Sequence, residues 1–190
     1  MYGKTQSIAA MKLIPIDQYT IVHACQIQHL LFPQENCFAD RDYENGYLYP
    51  ERRREYWLLE EDGAWVGIAG IYDLKVDPET AWLAWFGILP EYRRRGYATE
   101  AIRLFEDVAR ERGYLYARLF TERNDAAAIA CYLRNGFFLE EYNCPTDPGA
   151  KEVPMYIMSK SLCPGRACPP WNDRDISLWY QFSKQGEKLY

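Results

Sequence analysis

The chain has 190 residues, a formal net charge of −5, 48% hydrophobic and 26% charged residues. That composition fills one sizeable core and excludes a chain disordered throughout, which would be poor in apolar and aromatic residues. The acidic balance argues against nonspecific nucleic-acid binding, which rests on a dominant positive field.

No apolar run approaches the roughly 18 residues of a membrane span, and Ala81 to Leu89, the richest run, is far too short. Met1 to Ser7 carries no apolar leader core. The expectation is a cytoplasmic chain without membrane or nucleic-acid partners, its six cysteines reduced. No CxxC occurs, and His23 and His29 lie far in sequence from most cysteines, so no metal site is expected.

In chain order, Leu13–Ile16 reads as a short strand and Tyr19–Leu31 as a helix. Phe32 to Pro50 reads as irregular, with Glu35, Asp40, Asp42 and Glu44 among aromatic residues. The triplet Arg52-Arg53-Arg54 reads as solvated surface, because no glycine or helix start follows it. Arg54–Glu60 and Ala64–Tyr72 are predicted strands joined at the turn Glu61-Asp62-Gly63. Ala81–Leu89 is a third strand, stopped by Pro90. The period then changes: Ala98, Ala101, Ile102, Phe105, Val108 and Ala109 form one helical face, ended near Gly113. Leu115–Thr121 alternates like a strand, and Asp125–Asn135 is a short Ala-rich helix. Phe137–Tyr142 and Val153–Ser161 are predicted closing strands around a loop with Pro145, Pro148 and Gly149. This order describes one mixed α/β domain over residues 1–162, with a tail at 163–190. Trp171, Ile176, Leu178, Trp179, Tyr180 and Phe182 give that tail the means to pack on the domain or on a second copy as a homodimer.

The stretch from Leu89 to Thr99 runs from a strand end through Arg93, Arg94 and Arg95 to a helix start at Gly96. Helix N-termini present unpaired N–H groups and positive potential, so this arrangement suits an anion. Gly96 and the small Ala98 let that anion approach the backbone. Arginine forks match phosphate oxygens. The other reading is a basic turn that merely opens a helix.

A second motif lies on the short helix, where Ala128, Ile129, Tyr132 and Leu133 share a face and Gly136-Phe137 follow. With both motifs in this order, the sequence resembles the GNAT superfamily of acyl-CoA-dependent N-acetyltransferases. The RxxGxA signature is Arg93, Gly96 and Ala98; the AIxxYxxxGF signature is Ala128, Ile129, Tyr132, Gly136 and Phe137. The resemblance spans about Leu13 to Leu162 and implies a central, mostly antiparallel sheet with a splayed parallel pair of strands, flanked by helices. It implies acetyl-CoA as co-substrate, with no metal. The backbone at Phe86, Gly87 and Ile88 would bind the pantetheine arm. Arg93 and the N–H groups of Arg94, Arg95, Gly96, Tyr97, Ala98 and Thr99 would hold the pyrophosphate. The family's asparagine, seven residues before the tyrosine, is Asp125 here, so Asn124 takes the contact after a one-residue shift or Asp125 simply caps the helix.

The implied reaction is direct attack on the thioester by a primary amine of a small molecule or peptide. Ile88 N–H would donate to the oxyanion, and Tyr132 would donate to the departing thiolate or else be a core tyrosine. Ala81 to Phe86 holds no acid, so the base is Asp73, Glu122 or water. The acids and tyrosines between Phe32 and Pro50 would line the acceptor side, with Trp82 and Trp85 as core residues or pocket walls. A non-catalytic acyl-CoA-binding or interaction module of the same fold is the alternative.

Overall fold

The structure is a computed structural model and describes residues 11–33, 36–75, 77–141 and 155–171. The elements are β1 (Lys12–Pro15), α1 (Ile21–Leu31), α2 (Asn36–Leu48), β2 (Glu55–Glu61), β3 (Ala64–Leu74) and β4 (Asp77–Ile88). They continue with α3 (Tyr97–Glu111), β5 (Tyr116–Glu122), α4 (Ala126–Arg134), β6 (Phe138–Glu141) and β7 (Met155–Ser161). Among the described residues one seven-stranded sheet runs β1-β2-β3-β4-β5-β7-β6. Neighbours are antiparallel except β4 and β5, which run parallel. The α3 crossover imposes that exception, since a helix returning the chain to the starting end lays the next strand parallel. The mixed α/β fold with one parallel pair is as expected.

Both faces of the sheet are covered, so the middle of β2 (Tyr56 to Leu59) and most of β3 are continuous apolar runs instead of alternating. One face packs Trp57, Leu59, Val66, Ile71 and Leu83 against Ala101, Ile102, Phe105 and Ala109 of α3. The other packs Tyr56, Leu58 and Ile68 against Ala24 and Ile27 of α1 and Ala39 and Tyr43 of α2. Among the described residues no helix is long and apolar enough to cross a membrane.

Two expectations need correction. The stretch read as irregular contains α2, whose Ala39 and Tyr43, one turn apart, are both fully buried. Tyr43 Oη donates to Gln28 Oε1 at 2.5 Å and locks α2 to α1. The Asp and Asn residues on its other sides, with Gly46, lower helix propensity and hide that face. The arginine triplet is not simply solvated. Arg54 is buried, with Nη1 3.3 Å from Asp42 Oδ1. Arg53 Nε lies 3.1 Å from Asp73 Oδ2.

The segment after Leu162 folds back over the sheet. Arg118 of β5 is fully buried and forms ion pairs with Asp77 (3.4 Å) and Glu140 (3.3 Å). It also donates to Pro169 O at 2.6 Å, and Glu140 Oε2 accepts from Trp171 N–H at 2.6 Å. The Trp171 ring lies edge-on to Trp82, 5.1 Å between centroids. As far as Trp171, then, the tail packs on its own domain. Glu35, the 145–149 loop, Val153 and the tail residues Ile176, Leu178, Trp179, Tyr180 and Phe182 lie outside the described residues.

Trp171→Ala leaves a large cavity beside a buried ion cluster, which costs about 3–5 kcal/mol. At roughly 2–4 °C per kcal/mol for a chain of this size, the melting midpoint should fall by about 10 °C with molecular mass unchanged. Thermal unfolding with light scattering checks this, and an unaltered midpoint would refute the packing role.

Candidate active site

β4 and β5 share three rungs, Thr80–Tyr116, Ala81–Ala117 and Trp82–Arg118. Beyond them β5 stays paired with β7 as far as Glu122, while β4 stays paired with β3 as far as Ile88. The two strands therefore part into a fork. On the β4 side the register carries a bulge: Ile68 faces Gly87 but Gly70 faces Ala84, two steps on β3 against three on β4. Trp85 sits in that bulge with φ 43°.

Backbone alternation fixes which groups face the fork. Leu89 N–H donates to Val66 O on β3 at 2.9 Å, so Ile88 N–H, one residue earlier, points away from β3 into the fork. Ile88 O on the same side accepts from Arg93 Nε at 2.9 Å. Arg93 thus ties the basic loop to the strand end. Gly67 faces Ile88, and a Cβ on it would lie 2.2 Å from Gly87 O, so a larger residue there would displace the fork backbone.

The loop then delivers α3. Arg93 N–H closes a turn on Pro90 O at 3.2 Å, and Glu100 N–H makes the first helical bond to Gly96 O at 3.1 Å. Among the described residues, no backbone acceptor takes the N–H groups of Arg94, Arg95, Gly96, Tyr97, Ala98 or Thr99. Arg94 and Gly96 have φ of 63° and 91°, which turns successive amides toward one side. Nothing lies within 4 Å of where a Gly96 Cβ would stand. Arg93, Arg94 and Arg95 are exposed, and the Arg95 guanidinium lies over the Tyr92 ring at 5.8 Å. Six unpaired amides, a helix dipole and three cations make a site for a polyanion.

On the same side of the sheet, the Tyr132 ring of α4 lies 6.1 Å from Phe86 and 6.1 Å from Phe137. Tyr132 is buried, and burial raises its pKa well above the ordinary phenol value, with Cys131 and Asp125 adding to the shift. Asp125 Oδ1 accepts from Ala128 N–H at 2.9 Å and caps α4, so the capping reading of Asp125 holds; Asn124 is exposed just before it.

The two acids differ in placement. Asp73 lies beside Tyr72, which faces Trp82 at the paired end of the fork, and is held by Arg53 and by Tyr114 Oη at 2.9 Å. Trp82 is about 13 Å along β4 from Phe86 at ~3.3 Å per residue. Glu122 is four residues past the last rung, on the stretch of β5 that has parted from β4 and stays paired with β7. It is exposed and shares a strand face with Arg118 and Phe120.

On that face, away from α3, Trp85 and Asp42 meet, a contact that neither motif signals. Trp85 Nε1–H donates to Asp42 Oδ2 at 2.9 Å, and the Phe32 ring meets the indole edge-on at 5.9 Å. Burial raises the Asp42 pKa, against the lowering effects of the Trp85 hydrogen bond and of Arg54. Trp82 is fully buried core, as Arg118 and Trp171 require.

Among the described residues, the sheet forks at its one parallel pair and a helix starts beside the gap, the arrangement of a transferase fold. Residues 23–137 match the Acetyltransferase (GNAT) family, and the chain belongs to it. No curated protein matches the sequence. Solved structures agree in fold. The ribosomal-protein-S18-alanine N-acetyltransferase from Escherichia coli superimposes with TM-score 0.63 at 18% identity, covering 85% of this chain and 99% of its own. A GNAT-family acetyltransferase from Staphylococcus aureus gives 0.64 at 17%, covering 81% and 100%. The PaiA N-acetyltransferase from Thermoplasma acidophilum, solved with coenzyme A, gives 0.62 at 15%, covering 80% and 99%.

Gly96→Ala places a Cβ on a left-handed residue at a cost of about 1–2 kcal/mol. Relaxing that strain turns the amide array, so affinity for coenzyme A should fall roughly tenfold, at about 1.4 kcal/mol per decade. Calorimetric titration measures it; wild-type affinity would remove the loop from the site.

Proposed function

We propose that the chain transfers an acetyl group from acetyl-CoA to a primary amine of a small molecule or peptide by direct attack in a ternary complex. The observation that carries this reading is the fork itself: outward backbone at Ile88 on one side, and six unpaired amides at the start of α3 beside it. These residues fit acetyl-CoA. The arm needs an unpaired strand edge, which β4 has beyond Trp82, and the pyrophosphate needs an anion cradle. That a fold neighbour acts on an alanine of a ribosomal protein supports an amine acceptor, and another solved with coenzyme A supports the co-substrate.

Bound acetyl-CoA would supply an electrophilic thioester carbonyl. Ile88 N–H donates to its oxygen, where negative charge grows during attack. The Arg93 bond to Ile88 O holds that amide in place. Tyr132 lies at the fork beside Phe86. A coenzyme thiol has a pKa of about 8.5 by analogy with cysteine, while the phenol lies above its usual ~10. Full proton transfer from Tyr132 is therefore uphill, and its role is hydrogen-bond donation to the departing sulfur. An alkylammonium, with pKa near ~10, must lose a proton before attack. Glu122, directly or through water, receives it, since the Arg53 pair holds Asp73 at the paired end. Asn124, exposed just before α4, would give the coenzyme a further contact.

A second reading is a non-catalytic acyl-CoA sensor of the same fold, favoured by the lack of any carboxylate on β4 from Ala81 to Ile88. Release of free coenzyme thiol from acetyl-CoA across a panel of polyamines, aminoglycosides, amino acids and peptide N-termini separates the two. Turnover with one class establishes the enzyme, and tight binding with silence across the panel favours the sensor. In the enzyme, Tyr132→Phe and Glu122→Gln should each lower kcat by roughly 10²-fold with acetyl-CoA affinity within about threefold. Unchanged kcat would make Tyr132 a packing residue, or assign the base to water.

A further inference from the structure

Resting on the acetyltransferase reading, we infer that Asp42 is a positioning residue for the fork, acting through the indole of Trp85. Trp85 occupies the β4 bulge with φ 43°, a conformation that a bulky L-residue adopts only when its surroundings impose it. Three elements impose it. Asp42 Oδ2 on α2 accepts the indole N–H at 2.9 Å. Phe32, just past α1, packs on the ring at 5.9 Å. Arg54, leading into β2, holds the other Asp42 oxygen at 3.3 Å. Asp42 is far in sequence from both motifs, and Trp85 precedes Arg93 by eight residues.

The bulge decides what the fork presents. Because of it, the successive residues Ala84 and Trp85 both pack on the α1/α2 face, while Phe86 and Ile88 pack on the α3 face. Without the bulge, the β4 residues on one side of it would shift by one against β3 and exchange faces. Phe86 would leave Tyr132, and the Ile88 N–H would turn out of the fork. The Asp42–Trp85 hydrogen bond is therefore the α2 anchor of the backbone that meets the thioester.

The test compares the full wild-type chain with D42A, W85F, the double variant and D42N. D42A and W85F each delete one end of the bond; D42N keeps an acceptor for the indole and gives up the longer contact to Arg54. One readout is hydrogen exchange of the backbone amides of residues 85–88, which needs no substrate. The other is kcat and KM with the amine that the panel identifies. D42A and W85F should speed exchange at 85–88 at least fivefold with the centre of β3 unchanged. They should lower kcat by about 10–50-fold with KM for acetyl-CoA within threefold. D42N should stay within fivefold of wild type, and the double variant should be no worse than either single one. Wild-type exchange in D42A, additive losses in the double variant, or faster exchange across the whole sheet in every variant would each overturn the inference. A wild-type chain that binds acetyl-CoA but acetylates no amine would overturn the acetyltransferase reading instead, and the exchange comparison would still decide whether the bond holds the bulge.

Discussion

Three rungs of parallel pairing between β4 and β5 set the terms for the rest of the molecule. A parallel pair needs a crossover, and the crossover helix has to start where β4 ends. That requirement places the α3 N-terminus at the mouth of the gap it helps create. β5 departs because β7 offers it a full antiparallel partner from Tyr116 to Glu122. β4 departs with β3. Unpaired backbone inside a sheet is costly unless something fills it, so a fork of this kind is an invitation to an extended ligand rich in amides.

Electrostatics follow the same plan. The chain carries a net −5, yet three successive arginines stand at the start of α3. A local positive centre on an acidic body directs a polyanion to one place and keeps it off the remaining surface. The opposite face of the fork holds the acids Glu122 and Asp42 and the aromatic groups Trp85 and Phe32. Groups of opposite charge thus stand on opposite faces of one opening.

Much of this was legible in the sequence because it depends on local chemistry. The change of period after Pro90, Gly96 before an apolar helical face, and Tyr132 on a short helix ended at Gly136 each announce themselves within about fifteen residues of chain. What was not legible depends on partners far apart. α2 reads as irregular because its buried face is narrow and Asn, Asp and Gly stand among its remaining positions. Arg54 looked solvated because Asp42, its partner, lay in that unrecognised helix. The left-handed Trp85 has no sequence mark at all: a tryptophan in an apolar strand reads as core, and only the register against β3 exposes the extra residue. Asp73 and Glu122 stand alike in the sequence, and only topology puts Asp73 at the paired end of the fork and Glu122 on the parted stretch of β5.

The buried cluster around Arg118 joins Asp77 at the start of β4, β5 itself, Glu140 on β6 and the backbone of Pro169 and Trp171. Arg118 stands on the last rung before the strands separate. A nascent chain that has reached only Leu162 carries both motifs and every described strand, yet its central cation lacks the carbonyl and the indole that complete its shell. The last described residues therefore complete the shell of the cation at the point where β4 and β5 begin to part, although both motifs end before them.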